Sequence, residues 1–330
     1  MKSLPTVILV ITILFGCDST SFPTVDPPVP ETDPGAHAND GFYFYQNCDG
    51  IIDIHRIKPS GEVEAVIEDS SSQDWWPRVS PDKETILWYK SPLSGDLNNY
   101  AEAELWMANP DGSNQRRVLE SGAYGWTEMG VADWSPDGSQ LVMAAIDDSG
   151  HYHIFITDAE GRNPRKISQR NSLFADPSWS PDGTKIVYTA FPEDYVGINF
   201  FKLEIHTMDL DGSNEQRLTF DEYRDHDPYY SPDGRQIAFE SQHGLVYCLQ
   251  GSWAVRKVVL ESGRVEDVIF DGHLNGVVAW SKDSKHIYFP RLVCLQPQKI
   301  MKIDENGENM IEFHQAPTLN CKVYDGDMVE

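Results

Sequence analysis

The chain has 330 residues, 40% of them hydrophobic and 11% aromatic, which is ample for a sizeable core. It carries 52 acidic against 26 basic residues, a formal charge of −26. That excess excludes nucleic acid and anionic lipid surfaces as targets of a basic patch, because phosphate binding needs clustered Lys and Arg, and it favours cations and basic partners.

The N-terminus reads as a processing segment. Lys2 precedes an apolar run from Leu4 to Phe15. That run is shorter than the roughly 20 residues a membrane-spanning helix needs, and it suits an export signal. It ends Leu14-Phe15-Gly16-Cys17, which resembles a bacterial lipobox, with Phe15 bulkier than the residue usual there. The resemblance implies cleavage before Cys17, diacylglycerol on its sulfur and a membrane anchor through that lipid. Residues 1–16 are therefore expected to be a signal peptide. Residues 17–40 are rich in Pro, Asp, Ser and Thr. They hold too little apolar surface to offset ordering entropy and read as a lipidated, disordered tether. Residues 41–330 form the expected single folded domain, exported and facing the periplasm or the cell exterior.

Beyond Cys17 there are four cysteines, Cys48, Cys248, Cys294 and Cys321. Export permits disulfides, and the sequence leaves all three pairings open. No CxxC spacing points to zinc.

The folded part is built on a repeat. Residues 74–89 read DWWPRVSPDKETILWY, 131–145 VADWSPDGSQLVMAA, 176–190 DPSWSPDGTKIVYTA, 227–241 DPYYSPDGRQIAFES and 277–291 VVAWSKDSKHIYFPR. The repeat serines, Ser80, Ser135, Ser180, Ser231 and Ser281, recur every 45 to 55 residues, a period typical of propellers and solenoids. Between them lie strand-like runs around a second, glycine-centred turn, as in EIHTMDLDGSNEQRLTF. The unit is strand, SPDG turn, strand, loop, strand, Gly turn, strand: four short antiparallel strands. In SPDG, Pro presets φ for the first central turn position, Asp suits the second, and Gly accepts the left-handed conformation that follows. Asp82, Asp137, Asp182, Asp233 and Asp283 are thus turn residues, since no active site is needed five times. Trp134, Trp179, Tyr230 and Trp280 are expected to pack between units.

This repeat resembles that of the TolB-like propellers, over roughly residues 41–325. The resemblance implies an all-β fold, a six-bladed β-propeller of four-stranded antiparallel blades. Residues 42–69 supply three strands with no SPDG before them, and the last segment, NCKVYDGDMVE, supplies an apolar run and an Asp325-Gly326 turn. Together they are expected to complete one blade shared between the two ends of the chain, leaving no exposed sheet edge.

The loops on the face opposite the turns break the repeat, and loops on a rigid scaffold are where function concentrates. Candidate binding residues around the channel mouth are Asp133, Asp176, Asp225, His226, Asp227, His151, His243, His273, Trp126 and Tyr195. Four of them, His151, His226, His243 and His273, are candidate ligands for a divalent cation such as Ca²⁺; no cofactor is expected to be required. The expected function is non-catalytic: an envelope lipoprotein that binds a protein or other partner through this face. The alternatives are a metal-assisted glycan lyase or hydrolase, and capture of a cation or small ligand in an acidic channel. The chain has no G-x-S-x-G elbow for serine hydrolysis.

Overall fold

The computed structural model describes residues 37–93, 99–244, 252–293 and 296–330. The expected signal peptide, Cys17, the tether to residue 36, Cys248 and Cys294 lie outside the described residues. In chain order the strands are β1 (Gly41–Cys48), β2 (Ile51–Ile57), β3 (Val63–Ile67), β4 (Ser72–Val79), β5 (Ile86–Pro92), β6 (Glu104–Ala108) and β7 (Arg116–Leu119). Then come β8 (Glu128–Trp134), β9 (Gln140–Ile146), β10 (Tyr152–Asp158), β11 (Arg165–Lys166), β12 (Phe174–Trp179), β13 (Lys185–Ala190), β14 (Glu204–Asp209) and β15 (Gln216–Arg217). The last are β16 (Arg224–Tyr230), β17 (Gln236–His243), β18 (Ser252–Val259), β19 (Arg264–Ile269), β20 (Leu274–Asn275), β21 (Ala279–Trp280), β22 (His286–Leu292), β23 (Lys299–Asp304), β24 (Ile311–Gln315) and β25 (Cys321–Val329).

Pairing is antiparallel within successive units: β4-β5-β6-β7, β8-β9-β10-β11, β12-β13-β14-β15 and β16-β17-β18-β19. β22 pairs on one side with both β20 and β21 and on the other with β23, which pairs with β24. Single parallel bridges, Ile52↔Gln73 and Trp253↔Leu274, join neighbouring units. No sheet closes on itself among the described residues. The second strands are continuous apolar runs because both their faces are covered: Ile186–Ala190 of β13 are all buried. The outermost strands β11 and β15 are two residues long and largely exposed, a length that blunts an edge against pairing with another chain.

The SPDG turns are closed by their own side chains. Each repeat Ser donates its hydroxyl to the Asp two residues on: Ser135 to Asp137, Ser180 to Asp182, Ser231 to Asp233 and Ser281 to Asp283, all at 2.7 Å, and Ser80 to Asp82 at 2.5 Å. The same carboxylates accept a backbone N–H two residues further along. These bonds hold all five below the ordinary carboxylate range, the Ser hydroxyl being the first cause for Asp82, Asp137 and Asp182. They are structural, as expected.

Units meet through aromatic side chains and glycines. Trp179 packs with Val142, Ile154 and Ile156 of the preceding unit, and Trp280 with Ala238 and Val255. Trp134 and Trp280 also donate their indole N–H to Arg78 O and Tyr229 O, one unit back. The second turn of several units lies on the outer strand of the unit before. A Cβ at Gly112 would sit 1.9 Å from Val66 O, and at Gly212 1.9 Å from Ile167 O; both glycines also have positive φ.

The chain ends pair with each other. β25 runs antiparallel to β1, and a disulfide joins Cys48 to Cys321, directly opposite in register. The expected Asp325-Gly326 turn is corrected here: the strand continues through both residues, with a bulge opposite Phe44 to Gln46. Gly326 permits this, since a Cβ there would lie 2.3 Å from Tyr43 O.

Two stability predictions follow from these contacts. Gly212→Ala meets both a positive φ and a carbonyl, so it should lose about 2–4 kcal/mol in thermal or urea unfolding. Gly61→Ala has the same positive φ but nothing within 4 Å of its Cβ, and should lose only about 1 kcal/mol. Equal losses would show that the turn does not bear on its neighbour. Replacing Cys48 and Cys321 together by Ser should cost about 2–5 kcal/mol, because the bond closes a loop spanning almost the whole described chain.

Candidate functional site

The first strands of the units converge, and a shared irregularity aims their side chains inward. β4, β8, β12 and β16 each carry a bulge. At it Trp76, Val131, Asp176 and Asp227 adopt φ of 60°, 50°, 51° and 52°, a region non-glycine residues seldom enter. Two residues on stand Arg78, Asp133, Ser178 and Tyr229; Arg78 meets Tyr229, and Asp133 lies near Arg78 and Asp327 of β25. Arg78 Nη2 donates to the Tyr229 hydroxyl, and the guanidinium lies 4.7 Å from the Trp76 ring centre and 5.2 Å from that of Tyr229. Asp133 accepts the Trp134 and Trp179 N–H groups at 2.9 and 3.3 Å. Asp327 accepts Val79 N–H at 2.8 Å. Burial pushes Asp133 up to about 6 against the opposing pull of Arg78, with the Asp327 charge adding to the rise. Burial raises Asp327 as well.

A second group lies between β12 and β16–β17. It comprises Asp176, His226, Asp227 and Glu240; Glu240 stands opposite His226 in register. His226 Nδ1 is 2.6 Å from Asp227 Oδ2. Its Nε2 is 3.0 Å from Glu240 Oε1 but has no hydrogen-bond partner in acceptable geometry. Ligand atoms of Asp176, His226 and Asp227 all lie within 4.8 Å of one another. Burial, then the Asp227 charge, pushes Asp176 up to about 7. Burial also raises Asp227, and burial with the Asp227 charge raises Glu240, so this pair retains a proton more readily than free carboxylates do. Burial, then Arg224, lowers His226 to about 3, which leaves a neutral imidazole.

A third group, Glu204, Asp221 and Asp225, also has converging ligand atoms. Here the charges are already met. Arg217 bonds Glu204 at 2.6 Å, Arg256 bonds Asp221 at 2.7 Å and approaches Asp225 to 3.9 Å, and Ser241 donates to Asp225. Burial pushes Asp225 up to about 7.

Of the residues singled out from sequence, Asp176, His226 and Asp227 are therefore brought together, and Asp133 and Asp225 lie in neighbouring groups. The four candidate histidines do not assemble. His151 is exposed in the β9–β10 turn. His243 stacks on Tyr223, ring centres 3.7 Å apart, and against Phe270 at 4.4 Å. His273 contacts Arg291 at 2.8 Å and Asp271 at 3.1 Å. Asp225, His226 and Asp227 belong to a strand, not a loop. Trp126, expected at the mouth, is buried against Phe155 and Tyr124; its short loop folds back under the next unit's apolar surface. Tyr195 stays in its loop, accepting Asn199 N–H and packing on Phe191.

Sequence reasoning missed Glu240. A signal existed: at the equivalent repeat position the other copies carry Tyr89, Ala144, Thr189 and Pro290, so one copy alone places a carboxylate in a buried strand. It also missed the aromatic surface beside these groups. Arg224 lies over Phe200 and over Trp253, at 5.6 and 5.7 Å. Trp253 in turn meets the His226 ring edge-on at 4.9 Å.

No family model matches the chain. It is 31% identical over 134 residues to the uncharacterized protein Atu1656 of Agrobacterium fabrum, 41% of either chain. It is 21% identical over 198 residues to the uncharacterized peptidase YuxL of Bacillus subtilis, 50% of this chain and 29% of that one. It is 30% identical over 94 residues to the Tol-Pal system protein TolB of Francisella tularensis subsp. mediasiatica, 28% and 20% of the two. The matches thus span less than half the length of these relatives. Among solved structures, the putative TolB of Agrobacterium tumefaciens superposes with TM-score 0.61 at 20% identity, over 86% of this chain and 97% of that one. TolB of Acinetobacter baumannii gives 0.68 at 14%, over 88% and 66%. The fold is that of the TolB β-propellers.

Asp133 provides a pH test of the interior. Its folded pKa, about 6, lies above the ordinary aspartate value, so the folded state binds the proton more tightly. Its contribution is most favourable below about pH 4 and is lost as pH rises through 6. The side chain keeps some solvent contact, so the loss should be about 1–3 kcal/mol. Asp133→Asn should remove it: relative to wild type, the variant gains that amount in urea unfolding between pH 4 and pH 7. An offset that does not change with pH would refute the assignment.

Proposed function

We propose that this protein is an exported lipoprotein, anchored through Cys17, whose propeller captures a protein partner in the cell envelope. Its units form six four-stranded blades, the ring being completed where β25 pairs with β1. The docking face is the loop end of β12–β19. The observation that carries this reading is an exposed apolar surface there. Val196 and Ile198 are 96% and 84% exposed, and Phe200, Phe201, Phe220, Tyr223 and Phe270 of the same two units are exposed as well. An apolar patch of this kind marks an interaction site. Glu193 and Asp194 are exposed beside it, and a cleft of 530 Å³ lined by Pro192, Glu193, Asp194, His206, Glu215 and Arg217 opens beside the 191–203 loop. The matching partner is a segment with large apolar residues flanked by Lys or Arg. The relative named as a Tol-Pal system protein fits a place in an envelope assembly. The acidic surface disfavours nucleic acid.

Two measurements test this. Cross-linking capture from the native envelope with wild type, followed by binding of the purified captured protein, should give an affinity that falls with salt. The variant Val196→Asp/Ile198→Asp should lose that partner with unchanged melting temperature; equal binding by both would overturn the docking face. Separately, Cys17→Ser should move the protein from the membrane to the soluble fraction, and continued membrane partitioning would refute the lipid anchor.

A further inference from the structure

We propose that Asp176, His226 and Glu240 bind one divalent transition-metal ion, of the Mn²⁺ or Zn²⁺ class, on the interior wall between β12 and β16–β17, with Asp227 holding the imidazole in place. This is independent of partner capture.

The repeat itself gathers the site. Asp176 and Asp227 occupy the same bulge in adjacent first strands, with φ within one degree of each other. Glu240 is brought to the same place by the antiparallel pairing of β16 with β17. Ligand atoms of Asp176, His226 and Asp227 fall within 4.8 Å of one another.

The imidazole supplies an independent indication. His226 is only 8% exposed. Asp227 accepts the Nδ1 proton at 2.6 Å, which fixes the tautomer and leaves Nε2 as a lone pair. That lone pair finds no donor. The polar atom beside it, Glu240 Oε1 at 3.0 Å, is itself an acceptor when ionised. Two acceptors at this separation repel each other, and a buried one without a partner costs about 1–3 kcal/mol. The spacing suits two ligands of one ion, however. Atoms about 2.1 Å from a metal and at right angles to each other stand about 3.0 Å apart. Asp227 on Nδ1 is the partner that orients metal-bound histidines.

Charge and donor type narrow the ion. A divalent ion would displace the carboxyl protons, and the charges of Asp176 and Glu240 would then match its own. One imidazole with carboxylate oxygens suits Mn²⁺ or Zn²⁺, whereas Ca²⁺ and Mg²⁺ prefer oxygen alone. Asp176 keeps solvent contact, which provides the way in. The Glu204, Asp221 and Asp225 group, already paired to Arg217 and Arg256, has no such need.

The test is calorimetric titration of the chelator-stripped full chain with MnCl₂, ZnCl₂ and CaCl₂ in turn, with bound metal counted after gel filtration and melting followed by circular dichroism. One Mn²⁺ or Zn²⁺ per chain and a raised melting temperature are expected. His226→Gln should weaken binding about 100-fold or more, as should Glu240→Gln, which keeps the side chain's size and hydrogen-bonding capacity. Asp133→Asn, outside the site, should bind as wild type does. No binding of either transition metal at millimolar concentration would overturn the proposal. So would equal affinity for Ca²⁺, or binding unchanged in a folded Glu240→Gln variant.

Discussion

The rest of the structure depends on the contact between one unit and the next. A four-stranded unit of this size cannot bury both its faces alone. Here several units lean on their predecessors twice. A Trp or Tyr before the repeat Ser packs into the preceding apolar layer, as Trp179 does against Val142 and Ile156. A glycine turn lies against the preceding outer strand, as Gly212 does on Ile167 O. The first contact is apolar and forgiving of shape; the second leaves no room for a side chain. Together they fix both the distance and the tilt between units. The SPDG turns add a third point of contact, with Gly234 close to Pro181 of the unit before.

Fixing the units in this way forces their first strands together, and that has an electrostatic consequence. Inward-facing positions of five different strands share one space, and those positions hold Arg78, Asp133, Asp176, Asp227 and Asp327. Burial disfavours each charge, and few cations face them. The left-handed bulge residues add strain of about 1–3 kcal/mol each. The charges are not required by the repeat, since Val131 fills the same bulge without one, whereas the positive φ recurs at all four bulges and belongs to the scaffold. Local rules are broken here while the surrounding scaffold keeps them, the pattern expected where function, not stability, sets the residue.

The scaffold was legible because it is written five times. Ser80, Ser135, Ser180, Ser231 and Ser281 lie in like turns with like hydrogen bonds, and the packing role of Trp134 and Trp280 follows from position alone. The end pairing was legible from the missing first strand before Phe42, although the Asp325-Gly326 turn was not: a bulged strand and a turn share the same Asp-Gly signal. The interior groups were only half legible. Asp176 and Asp227 were among the candidates, but histidines were grouped by residue type, and of those four only His226 joins the buried group. The sense in which a bulge aims a side chain is set by a positive φ at Trp76, Val131, Asp176 and Asp227, and nothing in those residue types announces it. Glu240 was hidden because a strand carboxylate normally faces solvent; only comparison down the repeat column isolates it.

The exposed aromatic surface and the buried carboxylates are joined by one side chain. Arg224 begins β16 two residues before His226, and its guanidinium lies over both Phe200 and Trp253. Its charge acts on His226, Asp227 and Glu240. A partner seated on Phe200 and Phe201 would exclude water from the outer side of that guanidinium. In a drier setting its attraction to the carboxylates strengthens, because the effective dielectric falls. The two features thus meet at a single cation whose solvation a bound partner would change. The fold leads to this junction by simple means: the loop between the second and third strands of one unit reaches the start of the first strand of the next.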